Sequence, residues 1–228
     1  MKFRLRKQRG FTLIELLVVI GIIGILASLL MPSIVRAKQK AQRIKCLNSA
    51  RQLGLSAAVY ASDYDDELPP RRRVTNAWPT ALKSYYINAN ILKCPADRML
   101  ESRSYLINGW NDYWEKYLSP VDYTKMMRWS HPHGMKFSDV RLPSDTILFG
   151  EKRIGSFHMH MDFGQDAGND RHEVAQNMHG NSNGGKSGGS NFAFIDGSVR
   201  LLPYGGSIKP VNMWAVTEMW RAAPVELP

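Results

Sequence analysis

Three groups of residues have types and spacings suited to chemistry. His158, His160 and Asp162 stand in "HMHMD". On a strand, residues i, i+2 and i+4 share a face, so two imidazoles and a carboxylate would converge there on zinc. The bland reading is a half-exposed strand face. The same stretch runs into "MDFGQDAGNDRHE", where Asp162, Asp166 and Asp170 with Asn169 make an oxygen-rich set. Carboxylates with an amide and backbone carbonyls suit Ca2+, although the spacing is not that of an EF-hand and a solvated polar turn is the plainer reading. Cys46 and Cys94 are the only cysteines, and neither lies in a CxxC pair. That argues against a cysteine-rich zinc site. In an exported chain two cysteines suit one disulfide; the alternative is two small buried thiols.

A fourth candidate is Glu15, a carboxylate inside a stretch fit to cross a membrane. Phe11 to Met31 holds 21 residues, of which only Thr12, Glu15 and Ser28 are plainly polar. About 20 apolar residues span a bilayer as a helix. An ionised carboxylate there is costly unless paired, and is by default a functional candidate. The basic block "MKFRLRKQRG" precedes the span. Cleavage after Gly10 would make Phe11 a new amino terminus, able to neutralise the Glu15 of a neighbouring copy. The core is longer than that of a secretory signal, and no A-x-A-like site follows it.

The helix is expected to continue well past the span. Cys46, Ala50, Leu53, Ala57, Tyr60 and Tyr64 recur at alternating steps of four and three, the mark of one buried face. "DYDDELPP" then ends it, with Pro69 and Pro70 as stops. From about residue 11 to 65 this is a rod of roughly 80 Å at 1.5 Å per residue, with a kink expected at Pro32. Both flanks of the span carry five basic residues, so the positive-inside rule does not orient it.

"GFTLIELLVVIGIIGILASLLMP" resembles the N-terminus of type IV prepilins and type II secretion pseudopilins. Its basic leader ends in Gly, then come Phe, Thr, Leu, Ile and Glu, and an apolar helix with Pro near its far end. The resemblance covers about the first 50 residues. It implies cleavage between Gly10 and Phe11 by a prepilin peptidase, N-methylation of Phe11, and pairing of Glu15 with the Phe11 amine of an adjacent subunit. Removal of the leader would lower the net charge from +10 to +5, so the basic balance is not a nucleic-acid signature. Arg71 to Arg73 and the Arg36–Lys45 cluster lie at opposite ends of the soluble helix, and no nucleic-acid partner is expected.

Beyond the helix, "TILFGE" and "SFHMHMDF" read as strands and "SNFAFIDGSVRLLP" as a hairpin with a type I′ turn at Asp196–Gly197. "SYLINGWNDYW" suits a strand or packed loop, and "VNMWAVTEMWR" a short amphipathic helix. The class is α+β: a long N-terminal transmembrane and amphipathic helix packed on a small, mostly antiparallel sheet. The organisation expected is a leader over 1–10, an assembly helix over 11–32, its amphipathic continuation over 33–66 and a β-rich head over 67–228. Cys46, "DYDDELPP", "CPADR", "SYLING" and "FAFIDGSV" further resemble a domain carried by prepilin-like proteins of planctomycetes and verrucomicrobia. That pattern places nine residues between a His and Asp-Gly; here sixteen separate His179 from Asp196. Major pseudopilins hold calcium in C-terminal loops, and the resemblance extends that to the Asp162, Asp166 and Asp170 loop.

"HMHMDF" also resembles the HxHxDH of metallo-β-lactamase-like hydrolases, but Phe163 replaces the last His. No nucleophile–base pair, P-loop or nucleotide motif is present, and no enzyme activity is expected. The reading is a single-pass protein of the bacterial inner membrane, its head periplasmic, or extracellular after assembly into a pilus or secretion pseudopilus. Its expected partners are copies of itself, other pilin-like subunits, the prepilin peptidase and the assembly machinery. The alternative is a membrane-anchored surface binding protein that does not polymerise.

Overall fold

The computed structural model describes residues 11–73, 77–99, 103–162, 170–180 and 186–222. The leader therefore lies outside the described residues. One helix, α1 (Leu13–Asp63), runs for 51 residues and passes through Pro32 without interruption. The chain divides into two compact units that part between Ala41 and Gln42.

In the first unit α1 is long and apolar enough to cross a membrane. Its large apolar side chains, from Leu13 to Val35, are all exposed. A helix that is apolar all round has no aqueous face, so it needs lipid or other helices around it.

The second unit is an α+β head. From Cys46 onward α1 gains a buried face: Cys46, Ser49, Ala50, Leu53, Gly54, Ala57, Tyr60 and Ala61. The four–three spacing predicted this face except at Tyr64. The helix stops at Asp63, so Tyr64 leaves the stripe and is half-exposed, stacking on Tyr60 at 4.2 Å between ring centroids. The termination follows from the acidic run. Asp65 and Asp66 take left-handed backbone (φ 49° and 70°), which Asp tolerates better than most side chains. The Asp66 N–H returns to the Ala61 carbonyl at 2.9 Å. Acids at a helix C-terminus are disfavoured by the dipole; here Glu67 lies beyond the helix and is bonded to His133 Nδ1 (3.0 Å) and the Gly134 N–H (3.1 Å). Gly134 has no substitute: a Cβ there would fall 1.6 Å from the Leu68 carbonyl oxygen.

The sheet has five strands in the order β3-β1-β2-β4-β5. They are β1 (Tyr105–Asn108), β2 (Ile147–Glu151), β3 (His160–Met161), β4 (Gly189–Phe194) and β5 (Val199–Pro203). All neighbours are antiparallel except β1 and β3. Strand alternation divides the core between the two faces. Tyr105, Ile107, Phe149 and Ala193 join the α1 residues and Trp78 in one cluster. Leu106, Ile147, Phe192 and Phe194 join Trp214, Val174 and Ile208 in the other. Both faces are therefore covered, and β1, β2 and β4 are buried at every residue. Gly150 meets the second cluster so closely that a Cβ would lie 2.7 Å from the Trp214 ring.

Helices α2 (Trp78–Ala81), α3 (Asn111–Tyr117), α4 (Pro120–Met127) and α5 (Glu218–Ala222) are short. Three expectations need correction. Among the described residues the strand expected over 156–163 is reduced to His160–Met161, because it pairs only with the end of β1. The C-terminal helix is confined to Glu218–Ala222: Asn212 Oδ1 takes the Trp214 N–H (3.2 Å) and sets a turn that buries Trp214 instead. The β4–β5 turn is not type I′. Only Gly197 has positive φ (81°), Gly197 N–H bonds to the Phe194 carbonyl, and Phe194 N–H to that of Ser198. This is the three-residue loop with a left-handed glycine, the next most common hairpin connection.

Candidate functional site

At the start of α1, Thr12 and Glu15 cap the helix reciprocally. The Glu15 N–H donates to Thr12 Oγ1 (3.3 Å), and the Thr12 N–H donates to Glu15 Oε2 (2.9 Å). The Thr12 hydroxyl adds a third bond to the same Oε2, at 2.7 Å. A Thr followed three residues later by Glu is a capping box, which satisfies two otherwise orphaned N–H groups. The box fixes the Glu15 carboxylate within one turn of Phe11, whose side chain is exposed. The sequence reading singled out Glu15 and Phe11 but missed the box, although T-x-x-E is its signature. Gly10 lies outside the described residues.

In the head, Cys46 on α1 and Cys94, in the loop after a 3-10 turn (Ala89–Leu92), form a disulfide with Cα atoms 5.0 Å apart. Both are buried. Against it lies a polar pair. His179 Nε2 is 3.9 Å from Cys94 Sγ and 2.8 Å from Glu151 Oε1. Glu151, at the end of β2, has no exposed side-chain surface, and His179 has 3%. Asn191 on β4 completes the carboxylate's shell, donating its N–H to Oε2 (2.8 Å) and its amide to Oε1 (3.2 Å). Glu151 was read only as the last residue of a strand.

The "HMHMD" residues do not meet. His158 is half-exposed and reaches Asp170 (2.9 Å). His160 is buried against Trp129, and its Nδ1 has no hydrogen-bond partner among the described residues. Burial, aided by Arg71 and Arg103, holds its imidazole well below the usual range and so neutral. Asp162 makes a buried, two-pronged ion pair with Arg71, whose guanidinium stacks on Trp129 at 4.4 Å. Asp162 and Asp170 thus face Arg71 and His158; Asp166 lies outside the described residues. Burial, then the nearby Asp162 carboxylate, push Asp170 up to about 6 against the pull of His158. The Arg71–Arg73 run is also partly spent: Arg71 holds Asp162, and Arg72 bonds the carbonyls of His131 and Pro132.

The prokaryotic N-terminal methylation motif matches residues 5–31. That motif, on an apolar helix that runs on into an α+β head, defines a pilin-like protein. The type II secretion system core protein G of Escherichia coli (strain K12) is 46% identical over 57 residues, 25% of this chain and 39% of that protein. That of Aeromonas hydrophila is 36% identical over 98 residues, covering 40% of this chain and 68% of its own length. The ComG operon protein 3 homolog of Bacillus licheniformis is 30% identical over 94 residues, 41% of this chain and 89% of that protein. The chain belongs to the pilin-like family of these core G and ComG proteins. It spans about two fifths of the length of the first of these relatives. No solved structure matches the chain.

Proposed function

We propose that this chain is a pilin or pseudopilin subunit whose work is assembly. The prepilin peptidase cleaves after Gly10, the new Phe11 amine is methylated, and α1 holds the protein in the bacterial inner membrane with the head on the periplasmic side. Assembly then moves the apolar half of α1 from lipid into a bundle of like helices formed with copies of itself and other pilin-like subunits. Glu15 pairs there with the Phe11 amine of a neighbour and sets the axial register. The observation that carries this reading is the capping box: it presents a carboxylate from the apolar, exposed first half of α1, one turn from its start. An unpaired carboxylate in that setting is costly, and a cation from the next subunit removes the cost. The head belongs to the reading only as the part displayed; its resemblance to planctomycete-type prepilin domains remains part of this proposal.

The test is Glu15→Ala in the native host, followed by shearing, pelleting and mass spectrometry of the N-terminal peptide. Cleavage after Gly10 should persist while the protein vanishes from the sheared fraction. Normal yield in that fraction would sink the role of Glu15. A wild-type chain that is processed but never sheared off would instead favour a membrane-anchored binding protein.

A further inference from the structure

The head holds a polar cluster that a structural disulfide does not need. Cys46 Sγ, Cys94 Sγ, Glu151 and His179 place one ligand atom each within 4.8 Å of one another. They come from four separate elements: α1, the loop after the Ala89–Leu92 turn, the end of β2, and the turn before β4. The preceding β2 residues are Ile, Leu, Phe and Gly, all buried, so the strand's own pattern calls for another apolar residue at position 151. Instead the fold buries a carboxylate completely and supports it with an imidazole and two Asn191 bonds. Burying such a group is expensive even when paired, and a disulfide between apolar walls would be spared it.

We propose that Cys46, Cys94, Glu151 and His179 form a two-state site: a disulfide when oxidised, and a tetrahedral zinc(II) site when both cysteines are thiols. Two thiolates, an imidazole and a carboxylate are a donor set for zinc and unsuited to calcium or magnesium. Zinc–sulfur bonds of about 2.3 Å set the sulfurs of a tetrahedral site about 3.8 Å apart. Opening the S–S bond and rotating both side chains supplies that separation, with the imidazole and carboxylate already alongside. The step balances as follows. A dithiol reductant delivers two electrons and two protons to the disulfide and leaves as its own disulfide. Zinc then displaces the two thiol protons to water. His179 binds through Nε2, its remaining proton on Nδ1, and Glu151 through Oε1. Either state ties Cys46 on α1 to the loop at Cys94, so the helix stays fastened to the sheet whichever redox condition the chain meets. This assignment is independent of the role proposed for Glu15.

The test uses the full-length chain in detergent, reduced with a dithiol, freed of reductant under nitrogen, and titrated with Co2+. One cobalt per chain is expected, with thiolate-to-cobalt charge transfer and tetrahedral d–d absorption, both erased by Zn2+. The oxidised chain should show neither band. His179→Ala should weaken cobalt binding at least tenfold, as loss of even an outer-sphere partner does. His179→Cys should keep the site and intensify the charge-transfer band. The proposal fails if the reduced, folded chain takes up no stoichiometric cobalt, or if His179→Ala leaves the spectrum unchanged. It also fails if the reduced chain loses its circular dichroism and zinc does not restore it.

Discussion

The Arg71 guanidinium lies between the Asp162 carboxylate, which it grips through both of its terminal nitrogens, and the face of Trp129. Both charged side chains are almost fully buried, at 8% and 7% exposure. Removing one partner strands the other charge, a loss of about 3–5 kcal/mol. Asp162→Ala should therefore lower the unfolding free energy by that order in urea denaturation. Asp162→Leu combined with Arg71→Met should recover most of it, since the buried charge is then gone. A double variant as unstable as Asp162→Ala would show that packing, and not charge, holds this corner.

Asp170 makes the head's stability depend on pH in a direction that can be worked out. Its carboxyl is raised to about 6, first by burial and then by Asp162, against about 3.9 in an unfolded chain. The folded state thus holds a proton that the unfolded state releases. The stabilising contribution is complete below about pH 4 and is lost as pH rises through 6. Asp170→Asn removes the titration. From pH 4 to 7 the wild type should lose on the order of 2 kcal/mol relative to that variant, measured by denaturant melts at each pH. Parallel pH profiles would refute the assignment.

Cys46 and Cys94 are 48 residues apart in sequence. Closing a loop of that size restricts the unfolded chain by about 4 kcal/mol in the chain-entropy account. The Cys46→Ala, Cys94→Ala double variant should shift the urea midpoint downward by a matching amount. Reduction of the wild type in the presence of a zinc chelator should bring it to the same midpoint. An unchanged midpoint in both would mean that packing of α1 on the sheet suffices alone.

Much of this architecture was legible before any coordinates. The buried face of α1 could be read because helical period and burial coincide over Cys46 to Tyr60. β2 was legible as a run of apolar residues ended by turn signals, and the β4–β5 hairpin by its Asp-Gly. The turn type was not, because two- and three-residue loops share that dipeptide. Strand β3 was overread: alternation in "SFHMHMDF" marks a face, but pairing ends where β1 ends. The Glu151–His179 pair was invisible for a different reason. Two residues 28 apart carry no local signal of contact, and a glutamate at a strand end reads as solvent-facing. Arg71 was hidden likewise, within a charge run that looked like a surface patch.

Cys46 is the first fully buried residue of α1 counted from its N-terminal end. A pull applied to the apolar half of the helix would meet only two long side-chain bonds among the described residues, Gln42 to the Pro95 carbonyl (3.4 Å) and Asn191 to the Arg43 carbonyl (3.5 Å), before it reached that residue. Peeling α1 from the sheet one turn at a time, the easy way to detach a helix under load, would be stopped within its first turn by the covalent bond to Cys94. Force is diverted there into the loop that carries Cys94, and the noncovalent contacts from Ala50 to Ala61 are loaded together instead of in sequence. The head is built so that tension meets its strongest link within about one turn of where the helix enters it.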